Sequence, residues 1–172
     1  MDGLQWMGDL PTWISTLAIG FAALSYLGDR KSRAQERDRE EKSQATRLSA
    51  WAVTDADPEH RAYGVLIAND SGATFYSVDV VATVHKEVQP TLKLVTLPPG
   101  RLFVPLESDR GKGKAPWGFG MPPSEYEGTL RPYTVTGGYV VESMEFTDSF
   151  SQRWRTDRHA VLQRVVSSTA EI

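Results

Sequence analysis

Charge is missing from one long stretch near the start of the chain. Leu10 to Gly28 contains no charged side chain, and Arg30, Lys31 and Arg33 then follow within four positions. A helix over these roughly 19 residues reaches about 28 Å, close to the ~30 Å hydrocarbon core of a bilayer. Leu10, Ile14, Leu17, Phe21 and Leu24 recur at helical spacing. The opposite face holds Ser15, Ala18, Ile19, Ala22 and Ala23, where a soluble surface helix would carry Lys and Glu. Trp13 lies near one end and Tyr26 at the other, as interfacial aromatics do. The pattern predicts a transmembrane helix over 10–28, with residues 1–9 as a short external tail. A helix buried in a soluble core is the alternative. A cleaved signal is disfavoured, because Met1 to Asp9 has no Lys or Arg and no small-residue cleavage site stands out.

Orientation follows from the cations, which lie after the span and not before it. The positive-inside rule puts the N-terminus outside and the rest of the chain in the cytoplasm, on the inner membrane. Arg30, Lys31 and Arg33 are expected at anionic headgroups, and together with Leu17, Phe21 and Leu24 in the span and Trp13 and Tyr26 at its interfaces they form the membrane anchor. Thr16/Gly20 and Ala18/Ala22 are small pairs four apart, which permit homo-oligomerisation through the helix.

Residues 29–47 change character. The segment "DRKSRAQERDREEKSQATR" has no Gly or Pro and too few apolar residues for a core. Asp29/Arg33 and Asp38/Lys42 are favourably ordered pairs at helical spacing, opposed by Arg33/Arg37 and Glu36/Glu40. A solvated helical stalk is expected, without the apolar seam of a coiled coil.

From Leu48 the period shortens. Runs rich in Val, Tyr, Phe and Thr alternate with Gly, Pro, Asn and Asp clusters. Strands are predicted at 48–54, 62–69, 75–85, 92–97, 101–106, 139–147 and 152–156. A short helical turn is predicted near His159–Arg164. In "FYSVDVVATV", Tyr76, Val78, Val80 and Ala82 are expected to share one face. About seven strands over 48–172 predict a mainly β fold: an antiparallel, immunoglobulin-like sandwich with no disulfide, since the chain has no Cys.

Three stretches carry a family likeness: "VLIANDSGATFYSVDVVATV", "LPPGR" and "MEFTDSFSQRWRTD". Together they resemble small single-pass membrane proteins of actinobacterial type with a C-terminal immunoglobulin-like β-sandwich. The resemblance covers about Leu48 to Arg164. It implies the fold and a membrane tether, and it implies no activity.

The segment 107–132 is long for a hairpin loop and rich in Gly and Pro. Trp117, Phe119 and Met121 alternate with small residues after Arg110, Lys112 and Lys114. Aromatics beside cations suit a partner-binding loop, and these six residues are the candidate partner site. The plainer alternative is a loop whose Trp117 folds back over the sandwich edge.

Composition adds exclusions. Net charge is −3 and the pI about 5.6, so no nucleic-acid partner is expected. Without Cys there is no thiolate zinc site and no Cys nucleophile. His60, His85 and His159 match no metal spacing, and "DADPEH" lacks the Gly and distal Glu of a calcium loop. "GKGK" is not a phosphate-binding loop, and Asp148 and Ser149 sit in no nucleophile elbow. No enzyme activity and no cofactor are expected. The function expected is a membrane-anchored interaction module or accessory subunit, with the bilayer and a protein as partners. The alternative is a tethered sensor whose sandwich binds a small ligand or cation.

Overall fold

The computed structural model describes residues 33, 35–36, 38–57, 59, 62–107 and 116–165. The predicted membrane helix lies outside these residues, with Trp13, Leu17, Phe21, Leu24, Tyr26, Arg30 and Lys31. Among the described residues no helix is long and apolar enough to cross a membrane. The chain divides into two units, Met1–Glu40 and Glu41–Ile172. In the first, residues 33, 35, 36 and 38–40 are helical and exposed, as their charge requires. The second begins with the helical residues 41–45, of which Ala45 is fully buried.

The second unit is mainly β. Its strands are β1 (Leu48–Asp55), β2 (Tyr63–Asn69), β3 (Phe75–Val84), β4 (Glu87–Val88), β5 (Leu92–Leu97), β6 (Gly100–Leu106), β7 (Leu130–Pro132), β8 (Val140–Thr147), β9 (Arg153–Asp157) and β10 (Leu162–Arg164). All pairings are antiparallel. One sheet has the order β6-β2-β1-β7. The other runs β10-β9-β8-β3, with β5 and β4 on the far side of β3. Two inner faces form one core. Leu48, Val65, Ile67 and Val104 from the first sheet meet Val78, Val80, Phe75, Met144, Phe146 and Trp154 from the second. Phe75 and Phe146 pack edge to face at 5.0 Å between centroids. The arrangement is a β-sandwich.

The seven predicted strands lie where the alternation put them, within a residue at each end. Three short ones escaped it. The turn predicted at His159–Arg164 is instead partly strand, because Leu162–Arg164 pairs with Trp154–Thr156. The predicted face of β3 also needs correcting. Val78, Val80 and Ala82 are buried, but Tyr76 is 45% exposed and Phe75 points inward in its place. A bulge causes this: β3 has one extra residue between Tyr76 and Asp79, and Ser77 takes a left-handed φ of 48°.

Two buried side chains tie the turns at the end where the chain enters β1. Asn69 donates from Nδ2 to Ala73 O at 2.7 Å and to Leu97 O at 3.2 Å, while its Oδ1 accepts from Ser71. Asp148 accepts from the Phe150 and Gln152 N–H groups and from Trp154 Nε1 at 2.8 Å. Buried polar groups survive only when bonded in this way.

The segment predicted as one long loop is more structured than that. Residues 116–121 lie along the edge of β6, with bridges Leu106↔Trp117 and Phe103↔Met121. Pro123–Glu125 forms one 3-10 turn. The chain then crosses the outer face of the first sheet and becomes β7 on the opposite edge, beside β1. Val53, Leu66 and Phe103 form a second small core beneath it, together with Met121, Tyr126 and Leu130.

Candidate functional site

At the end of the sandwich away from chain entry the register places the pairs Thr54↔Tyr63, Tyr63↔Leu106, Asp55↔Leu130, Val84↔Glu87, Thr83↔Val140 and Leu162↔Thr156, and with them the turns 85–86 and 158–161. The 133–139 loop joins two levels: Tyr133 sits opposite Ala52 of β1, and Tyr139 leads into β8 at this end. An aromatic cluster closes this end. Tyr133 and Tyr139 stack at 4.0 Å and 11°, and Tyr139 stacks on Tyr63 at 5.6 Å. His85 meets Tyr63 edge-on at 4.4 Å. His85 Nδ1 and the Tyr139 hydroxyl oxygen lie 2.7 Å apart, a hydrogen bond whose donor depends on the imidazole tautomer. Burial pushes the Tyr139 phenol above its ordinary range, helped by its tyrosine neighbours Tyr133 and Tyr63.

The backbone here is fixed. The turn between β3 and β4 places His85 at φ 56° and Lys86 at φ 66°, positions usually given to Asn-Gly. The ring contacts of His85 and a bond from Lys86 N–H to Gly138 O at 3.0 Å hold it. The 133–139 loop is thus pinned at both stems, by Tyr133 and Tyr139. Its tip residue Val135 is 95% exposed, and Val88 on the neighbouring hairpin is 67% exposed. A rigid frame presenting apolar tips is what a preorganised binding loop needs.

The six residues of the predicted partner site divide differently. Arg110, Lys112 and Lys114 lie outside the described residues. Trp117 belongs to the main core, and its Nε1–H donates to Pro90 O at 2.6 Å. Phe119, two residues on, is 83% exposed. Met121 is half-buried against the Phe103 cluster. The structure brings Trp117 and Met121 to the two faces of the first sheet and leaves Phe119 on the surface. From the anchor set, Arg33 is on the exposed helical segment.

The acidic groups near the turns serve the fold. Asp55 accepts from Asp57 N–H at 3.0 Å, from the Tyr126 hydroxyl at 2.6 Å and from Thr129 N–H at 3.3 Å. These bonds, the Asp57 N–H first and Tyr126 next, hold its carboxyl below the usual range. Asp157 caps its own turn through Val161 and His159 N–H groups and is likewise lowered. Ser149 Oγ donates to Gln44 Oε1 at 3.0 Å. Among the described residues no group of three or more His, Asp or Glu could hold a metal.

The far-end cluster was not found from sequence, because Tyr63, His85, Tyr133 and Tyr139 come from four separate segments. Its one local signal is "YTVTGGY", two tyrosines bracketing a short loop with paired glycines. No protein-family model, no curated protein and no solved structure matches the chain.

Proposed function

We propose that this protein is a non-enzymatic interaction module tethered to the inner membrane, an accessory subunit of a larger assembly. The charge-free stretch 10–28 is its anchor, the N-terminus is outside, and the β-unit works in the cytoplasm. The β-unit is immunoglobulin-like. The connectivity supports this: β1, β2 and β6 occupy the places of strands A, B and E in one sheet, and β3, β8 and β9 those of C, F and G in the other. The tether keeps a binding surface at high local concentration near the bilayer.

One observation carries the binding role. The 133–139 loop is clamped by stacked tyrosines, yet its tip Val135 is almost wholly exposed, and Val88, on the hairpin bonded to the loop through Lys86 and Gly138, is exposed too. Apolar side chains held in place without being buried have no folding role, whereas a contact surface uses them. Phe119 adds a further exposed ring. The test is a double substitution, Val135→Asp with Val88→Asp. Stability should change by no more than about 0.5 kcal/mol, as for surface sites. Partners cross-linked to the parent chain in intact cells should be lost. Retention of the same cross-linked partners by the double variant would remove the far end from the proposal.

A further inference from the structure

Sheet edges normally carry some protection, and the first sheet treats its two edges unequally. Residues 116–121 cover β6. On the other edge β7 covers only Val53–Asp55 of β1. What remains is Leu48–Trp51, an uncharged stretch without Pro and without a described strand beside it. Edges of natural sheets are usually blunted by Lys, Pro or bulges.

The direction of its backbone groups follows from one bond. Asp55 N–H donates to Ala62 O, so Asp55 and Ala62 are a bonded pair of the β1–β2 ladder. Bonded pairs alternate in an antiparallel ladder. Val53, Trp51 and Ser49 therefore bond to β2, while Ala52, Ala50 and Leu48 aim their N–H and C=O groups at the opposite edge. The Ala52 carbonyl agrees, since it accepts from Tyr133 N–H at 3.0 Å. Beyond that bond no described strand continues the row begun by β7, and Ala50 and Leu48 face that side of the sheet.

The same residues turn their side chains inward, where a groove enters between the two sheets. Its volume is about 200 Å³. Its walls include Leu48 and Ala50 from β1, Val141 and Met144 from β8, and Leu162 from β10. A drug-sized molecule needs a pocket of at least ~300 Å³, so the space suits one or two branched aliphatic side chains instead. Polar groups line it as well, among them Arg158, which lies 4.0 Å from Glu142.

We propose that this groove receives an extended peptide segment of a partner protein, added as a strand beside Leu48–Trp51. The peptide continues the row that β7 begins, so the site extends a pairing the sheet already makes. Its backbone bonds to Ala50 and Leu48. Alternate side chains, apolar and of valine size, enter the groove, and those between them face solvent. The free edge accounts for the backbone half of the recognition and the groove for the side-chain half.

The test uses the full chain with isotope-labelled amides and, as probe, an acetylated heptapeptide of alternating threonine and valine. Saturable binding is expected, with amide exchange at Ala50 slowed about tenfold, the worth of one added hydrogen bond. Ala50→Pro removes an edge donor and no bond to β2. It should weaken peptide binding about tenfold. Leu162→Glu alters the groove wall without touching β1 and should weaken it too, which keeps the test valid if the proline variant does not fold. The proposal is overturned by absence of saturable binding, by unchanged exchange at Leu48 and Ala50, or by equal binding to the folded variants.

Discussion

At the scale of single residues, Trp117 and Phe119 look alike in sequence and behave oppositely. Trp117 is 5% exposed and bridges the 116–121 edge to Pro90, whereas Phe119 is 83% exposed. Trp117→Ala should cost about 3–5 kcal/mol, the usual loss for a buried aromatic, with the Pro90 carbonyl left unpaired. Phe119→Ala should stay within about 0.5 kcal/mol. Denaturant unfolding of the two variants checks both. An equal effect would mean that the indole does not hold the core. Asp55 gives a pH prediction. Its folded pKa is depressed, so its contribution is complete above the unfolded value of about 4 and is lost as pH falls through the folded value. The partner group has the reverse sign. Burial, and then the bond to Asp55, push Tyr126 up to about 12. Its contribution is present below about 10 and lost as pH rises through about 12. Phenolate absorbance should therefore show Tyr126 titrating late, with Tyr139 also above the ordinary range, and Asp55→Asn should lower Tyr126 while leaving Tyr139 in place. A titration unaffected by Asp55→Asn would contradict the pairing.

At the scale of elements, the crossing segment 122–129 depends on close approach. A side chain at Gly128 would meet Asp55 Oδ2, and one at Gly64 would run into Val104 O and lie 2.6 Å from Phe103 Cε2. The Gly64 contact is with backbone, which does not yield cheaply. Gly64→Ala should therefore destabilise by about 1–3 kcal/mol and loosen the packing of Phe103 beneath Tyr126. Thermal unfolding would show it, and an unchanged Tm would mean that β6 shifts freely. These contacts also mark what the sequence allowed one to read. "YGVLIAN" announces its strand as an unbroken apolar run, buried on both faces, and "LKLVTL" as a short β-branched and leucine-rich run bounded by turn residues. β7 and β10 have three residues each, too few for a period, and β7 ends in Pro. The phase of β3 was misread at Tyr76 because a bulge changes which side chains face inward and leaves the composition untouched. The candidate site was less legible still. Trp117 and Phe119 both read as binding aromatics, and only the Leu106↔Trp117 bridge separates them.

At the scale of the molecule, the account joins an anchor read from sequence to a β-unit whose far-end loops carry a clamped aromatic cluster and exposed valines. The second unit folds around its own core, with Ala45 of the helical lead-in buried in it. Work at a membrane requires that the charge-free stretch 10–28 be the anchor and that the cations after it stay inside. The measurement that tests this most directly is a pair of reporter fusions after Ile172, one active only in the cytoplasm and one only outside. The account predicts signal from the cytoplasmic reporter alone, with the chain in the membrane fraction. Signal from the external reporter would contradict the orientation, and a chain absent from the membrane fraction would contradict the anchor itself.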